Sequence, residues 1–200
     1  MALLPCLPQI SGESLTSYVN RAALYQCNLS LQGFLSFFEI SQQALMNPES
    51  ETLARISGLT GHSVEQLGKM TFLRSGNRRL TIKGEIVHSE FIELTSRPFC
   101  PACMLADLEA DSPSDGVPVG RLAWQLQPVR VCERHGVTLQ ARKFSKYSDR
   151  FHFLPELIAE KPVLTEMMAR AEFHEPSRLQ KYVVDRLDGG RGQNGWTGSK

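Results

Sequence analysis

No run of about 18 consecutive apolar residues occurs in this chain, so no membrane-spanning helix is expected. Excess charge is lacking too: 22 Lys and Arg stand against 21 Asp and Glu, a net +1. Such a balance gives no global pull toward nucleic acid, so any contact with a phosphate backbone has to come from a local patch. Cysteine is scarce and odd in number, five in 200 residues, which argues against a fully paired disulfide framework. The opening MALLPCLPQI has no basic segment and two early prolines, a poor match to a secretion signal. Gly-rich phosphate loop, nucleophile elbow and HExxH are all missing. Carboxylate pairs exist, but none stands beside another catalytic partner. These gaps point toward a binding module rather than an enzyme. Apolar content of 42% and charged content of 22% are those of an ordinary globular chain, one domain or two small ones.

What is present centres on four residues. CPAC (100–103) and CERH (132–135) supply Cys100, Cys103, Cys132 and His135 in two pairs with the same x-x spacing. That spacing lets a tight turn aim two side chains at one point, and two such turns facing each other make the Cys₃His set of a closed structural Zn²⁺ site. Thiolate is a soft ligand and imidazole a borderline one, which suits zinc over magnesium or calcium. All four positions are protein-filled, so the ion would hold the fold and perform no chemistry. About 28 residues separate the pairs, a tolerable closure because loop entropy grows only logarithmically. Buried free cysteines explain one such residue well and two matched pairs badly. A redox CxxC expects a thioredoxin-like context that is not evident. Cys6 and Cys27 are left as free thiols, which fits a reducing cytoplasm.

The first 72 residues predict a helical module. Ser14 opens a run with Leu15, Tyr18, Val19 and Ala22 at helical spacing, ended by Cys27 and Asn28. Ser30 caps a second helix carrying Leu31, Phe34, Leu35 and Phe38. Asn47-Pro48 is a start signal, Gly58 a stop, and Ser63 with Gln66 a capping box. Segments 48–57 and 63–70 therefore form a helix-turn-helix candidate. The second of these carries only Gln66 and Lys69 as base-reading side chains, so packing or protein contact is favoured for it. Residues 73–150 predict a small β-containing zinc-ribbon-like module, with strands at 81–82 and 85–87, a helical turn or two over 104–109, an exposed loop over 111–118, an extended segment over 124–131, and 137–139 as a hairpin partner. Residues 151–188 predict a helical piece (155–160, 164–173, 177–187), and the Gly-rich 189–200 a disordered tail. The fold class expected is mainly α with a small zinc-ribbon-like β module.

Two basic sets are candidates for tracking a phosphate backbone. One is Arg74, Arg78, Arg79 and Lys83; the other, Arg121, Arg130, Arg134, Arg142, Lys143 and Lys146, flanks the metal turns. For each set a solvated surface is an equally good reading. Trp124 could stack on a base, but packing into the core is favoured. His62, His88, His152 and His174 fall outside ligand spacing and read as ordinary surface or core histidines; a zinc-supported nuclease with His88 as base lacks a paired acid.

Two blocks resemble a known family. LPQISGESLTSYVNRAA (7–23) is similar to the opening of TniQ proteins, P-x-P-G-E-S-L-x-S-W/Y-L-x-R-L-A. FCPACMLAD (99–107), Arg121, Trp124-Gln125 and VCERHGVTL (131–139) resemble the TniQ pattern C-P-x-C-L-x-x-D, W-Q, V-C-x-x-H-G-x-x-L. The chain thus resembles the TniQ/TnsD family of transposition target-selection proteins over roughly its first 140 residues. The resemblance implies a non-enzymatic adaptor that bridges a target-recognising partner to an AAA+ ATPase regulator of transposition. The partner would be DNA itself or an RNA-guided complex of a CRISPR-associated transposon, in which guide RNA could be met directly. It also implies the same four metal ligands. Ser11 stands where the family has Pro, and QARKFSKYS (140–148) replaces a further CxxC that many members carry, so a single metal site is expected. Many DNA-reading members run longer, which makes a compact adaptor the expectation here. The alternative is a stand-alone zinc-containing helix-turn-helix DNA-binding regulator.

Overall fold

Serine side chains set the starts of the N-terminal helices. In this computed structural model, which describes residues 3, 5–93, 95–109, 111, 116–143 and 160–189, α1 (Leu15–Cys27) begins where Ser14 Oγ accepts the Ser17 N–H. It ends at Asn28, whose φ of 50° turns the chain so that its N–H returns to the Ala23 and Leu24 carbonyls. Ser30 and Ser41 cap α2 (Leu31–Phe37) and α3 (Gln42–Met46) in the same way. Helix α4 (Ser50–Thr60) starts later and runs longer than Asn47-Pro48 and Gly58 suggest. Its N-cap is Glu49, without a side-chain bond, and Gly58 lies inside it. The stop is Gly61, at a φ of 76° that suits a residue without Cβ. Ser63 and Gln66 do form the expected capping box, at the head of a short α5 (Val64–Gly68).

The chain then becomes a three-stranded antiparallel meander, β1 (Leu73–Gly76), β2 (Arg79–Ile82) and β3 (Glu85–His88). The β2–β3 turn is the two-residue Lys83-Gly84, both at positive φ (48° and 88°), the backbone a tight hairpin needs. A second ladder matters more for function. β4 (Ser96–Phe99) pairs with β5 (Gln140–Lys143), with Phe99 opposite Gln140. The residue before the first ligand pair is thereby fixed beside the segment that follows the second.

Helix α6 (Pro101–Asp107) starts earlier than the expected 104–109, with Cys100 as its N-cap and proline in its first turn. The expected extended segment over 124–131 is only partly so. Residues Leu122–Gln125 form a 3₁₀ turn, and only Leu126 and Val131 make β-bridges, to Ile92 and Thr138. Helices α7 (Lys161–Ala169) and α8 (Arg178–Leu187) follow; α7 packs on α6 and ends earlier than residue 173 because the chain leaves it to bridge Val137 through Phe173. The expected helix 155–160 lies outside the described residues except for Glu160, the N-cap of α7; Lys146, His152 and the tail from residue 190 lie outside them too.

One buried apolar cluster runs through most of these elements, from Leu7, Leu15 and Phe34 through Ile56 and Ile82 to Met104, Trp124, Leu164 and Leu187. Trp124 is in this core, as the packing reading has it. Among the described residues no helix is long and apolar enough to cross a membrane.

Candidate metal centre

The two turns converge because backbone hydrogen bonds shape each of them. In the first, Cys100 is the cap and Cys103 sits three positions into α6, with the Met104 N–H bonded to the Cys100 carbonyl at 3.0 Å. In the second, the Gly136 N–H reaches the Cys132 carbonyl at 2.7 Å and the Cys132 N–H reaches the Val137 carbonyl at 2.8 Å. Gly136 takes a φ of 65°, which lets the chain double back straight after His135.

The ligand atoms of Cys100, Cys103, Cys132 and His135 all lie within 4.8 Å of one another, the three cysteines buried and the histidine half-buried. Cys103 Sγ is 3.6 Å from Cys132 Sγ, and His135 Nδ1 is 3.6, 3.3 and 3.6 Å from the sulfurs of Cys100, Cys103 and Cys132. With Zn–S near 2.3 Å and Zn–N near 2.0–2.1 Å, a regular tetrahedron has S···S edges of about 3.8 Å and S···N edges of about 3.6 Å. The Cys103–Cys132 spacing and the three sulfur–nitrogen spacings lie close to those edges. The four side chains could therefore hold one metal ion, and the donor set is that of a structural zinc site. Contacts with Cys100 and Cys132 push the Cys103 thiol up, while hydrogen bonds from Cys100 and Cys103 pull Cys132 down. A divalent ion would replace the thiol protons, so uptake would release them.

Behind the cluster lies a polar network not singled out by sequence reasoning. Asp107, at the end of α6, accepts the Val119 N–H at 2.9 Å and pairs with Arg121 at 3.1 Å. Burial pushes the Asp107 carboxyl up, against the pull of Arg121 and the Val119 amide. The segment held in this way is bonded to the start of α1: Gly120 N–H to Ser17 Oγ, Ser14 N–H to the Gly120 carbonyl, and Leu122 N–H to the Gly12 carbonyl. There Glu13 and Arg21 form a two-armed ion pair, both bonds 2.8 Å, with side chains 0% and 2% exposed. Ser17 Oγ adds a bond to Glu13, and Arg21 also donates to the Pro8 carbonyl. The signal that could have found these residues was in the LPQISGESLTSYVNRAA (7–23) and FCPACMLAD (99–107) blocks, where Glu13, Ser17, Arg21 and Asp107 all stand.

The phosphate-contact candidates fare unequally. The Arg121 side chain is 11% exposed and engaged by Asp107, which makes it part of the polar network. Arg74, Arg78, Arg79 and Lys83 lie on the meander or its turns, in exposed positions. Arg78 is 3.5 Å from Glu90 and Lys83 is 3.6 Å from Asp188. Arg130, Arg134, Arg142 and Lys143 are exposed on and after the metal hairpin. On α5, Gln66 serves the capping box and Lys69 pairs with Glu65 at 2.7 Å. His62 is structural, bonded to the Leu7 carbonyl and edge-on to Tyr18.

This arrangement joins the four-residue cluster to the start of the helical module, so the two sequence blocks meet in space. A family model, TniQ, matches residues 6–139, about two thirds of the chain, and the protein belongs to the TniQ family. Membership implies a part in transposition target selection. No curated protein matches the chain.

Proposed function

We propose that the protein is a non-enzymatic adaptor that bridges a target-recognising complex, such as an RNA-guided one, to an AAA+ ATPase regulator of transposition, with Zn²⁺ as its structural ion. The observation that carries this reading is the joining of the two family blocks. Asp107, Gly120 and Ser17 tie the metal turn to α1, so a surface spanning both blocks is presented in one fixed geometry. A rigid, complete four-ligand centre suits a docking platform, since every position of the tetrahedron is taken by a side chain. The test is a pull-down of the zinc-loaded chain with the ATPase encoded by the same mobile element; retention is expected, and none with or without nucleic acid would sink the adaptor.

The alternative reading, a stand-alone zinc-containing DNA-binding regulator, would use α4 and α5 as a helix-turn-helix. That reading requires tight duplex binding with a large specificity ratio, whereas the adaptor requires weak, salt-sensitive binding. A gel-shift series across salt separates them. Within the adaptor reading, replacing both Arg78 and Arg79 with Ala lowers nucleic-acid binding by a similar factor for all sequences and makes the salt slope shallower. An unchanged slope would remove the meander from the contact surface.

A further inference from the structure

The family match ends at residue 139, yet the metal hairpin is not complete there. Its two flanks are covered from outside the matched region. On one, the Thr138 N–H bonds to the Glu172 carbonyl at 2.9 Å and the His174 N–H to the Gly136 carbonyl at 2.8 Å. On the other lies Gln180, whose side chain is among the largest fully buried ones, at 1% exposure. Gln180 Oε1 accepts the N–H groups of both Arg130 (3.0 Å) and Val131 (3.1 Å), and Nε2 donates to the Val131 carbonyl. The side-chain amide thus pairs with Val131 as a neighbouring strand would, at the residue before Cys132. Gln180 is itself fixed, because its N–H is capped by Ser177 Oγ at 3.1 Å in the first turn of α8.

We propose that Gln180 is a positioning residue for the metal centre. By holding the backbone at 130–131 it aims Cys132 at the ion, and the C-terminal helical piece thereby sets how firmly the metal is kept. The chemistry favours this. Three backbone groups beside the ligand share one side chain as partner, the two of Val131 in buried bonds and that of Arg130 in a part-buried one, and removing that side chain leaves them unsatisfied. The outer partners of metal ligands usually govern affinity by about 10–100-fold. The proposal rests on the metal reading of the four-residue cluster.

The experiment uses the full-length, zinc-loaded chain, with Gln180→Ala and Gln180→Glu compared with wild type in competition against a chromophoric zinc chelator. Glu keeps the acceptor for Arg130 and Val131 but cannot donate to the Val131 carbonyl, and it serves if Ala fails to fold. Leu45→Ala, a buried change in the N-terminal core, controls for a general loss of stability. Zinc affinity is expected to fall about 10–100-fold in Gln180→Ala and by less in Gln180→Glu, with the cobalt-substituted variants showing an altered thiolate-to-metal absorption band. Leu45→Ala should leave both readouts unchanged. Wild-type affinity and an unaltered cobalt spectrum in the folded Gln180 variants would overturn the proposal, as would an equal loss in Leu45→Ala. Failure of the wild-type chain to take up metal would instead overturn the metal reading itself.

Discussion

Cys103→Ser is expected to strip the metal from the chain and unfold the central module with it. Cys103 Sγ lies 3.6 Å from Cys132 Sγ and 3.3 Å from His135 Nδ1, one corner of the tetrahedron. A hydroxyl there replaces a thiolate with a weak neutral donor. Apparent zinc-binding energies in small modules are roughly 10–16 kcal/mol at neutral pH and are coupled to folding, far more than a single packing contact supplies. The metal-to-protein ratio should drop from one toward zero, and proteolysis should open new cuts within residues 97–143. Acid should mimic the substitution in wild type. Protons compete with the ion for three thiolates and an imidazole, so metal is retained near neutrality and lost as pH falls. Full zinc content and unchanged protease resistance in Cys103→Ser would show that the ligands are misassigned.

Glu13→Gln should cost about 3–5 kcal/mol of stability, since breaking a buried pair strands the remaining charge. Arg21 makes two 2.8 Å bonds to Glu13 in a setting where neither side chain is more than 2% exposed. An amide can accept only one of them, and the guanidinium is left unneutralised. Glu13→Leu combined with Arg21→Met should recover much of the loss, because the cost comes from the orphaned charge and not from the missing attraction. By contrast, Arg170→Ala, which breaks an exposed pair with Glu166, should barely register. Denaturant unfolding of the four proteins checks this ordering. A Glu13→Gln midpoint no lower than that of Arg170→Ala would mean that the pair does not anchor α1.

Features of one or two turns were legible in the residues. Ser14, Ser30 and Ser63 mark helix starts because the capping hydroxyl and the N–H it accepts are three residues apart. The four ligands were legible for the same reason, since each pair is set by one turn. What escaped depends on distant neighbours. Asn47-Pro48 resembles a helix start, but the chain delays α4 until Ser50; Gly58 resembles a stop, but neighbours on both sides keep it helical until Gly61 supplies the positive φ. Helix α3 has only five residues, too few to show a period. Arg121 reads as a surface cation until Asp107, 14 positions away, is seen to hold it. Gln180 contacts a segment 49 and 50 residues earlier, and no local pattern announces such a bond.

X-ray absorption at the zinc edge of the protein as purified tests the central claim most directly. The account predicts one zinc per chain with a first shell of three sulfurs near 2.3 Å and one nitrogen near 2.0–2.1 Å. A shell of oxygen and nitrogen alone, or no stoichiometric metal, would contradict it.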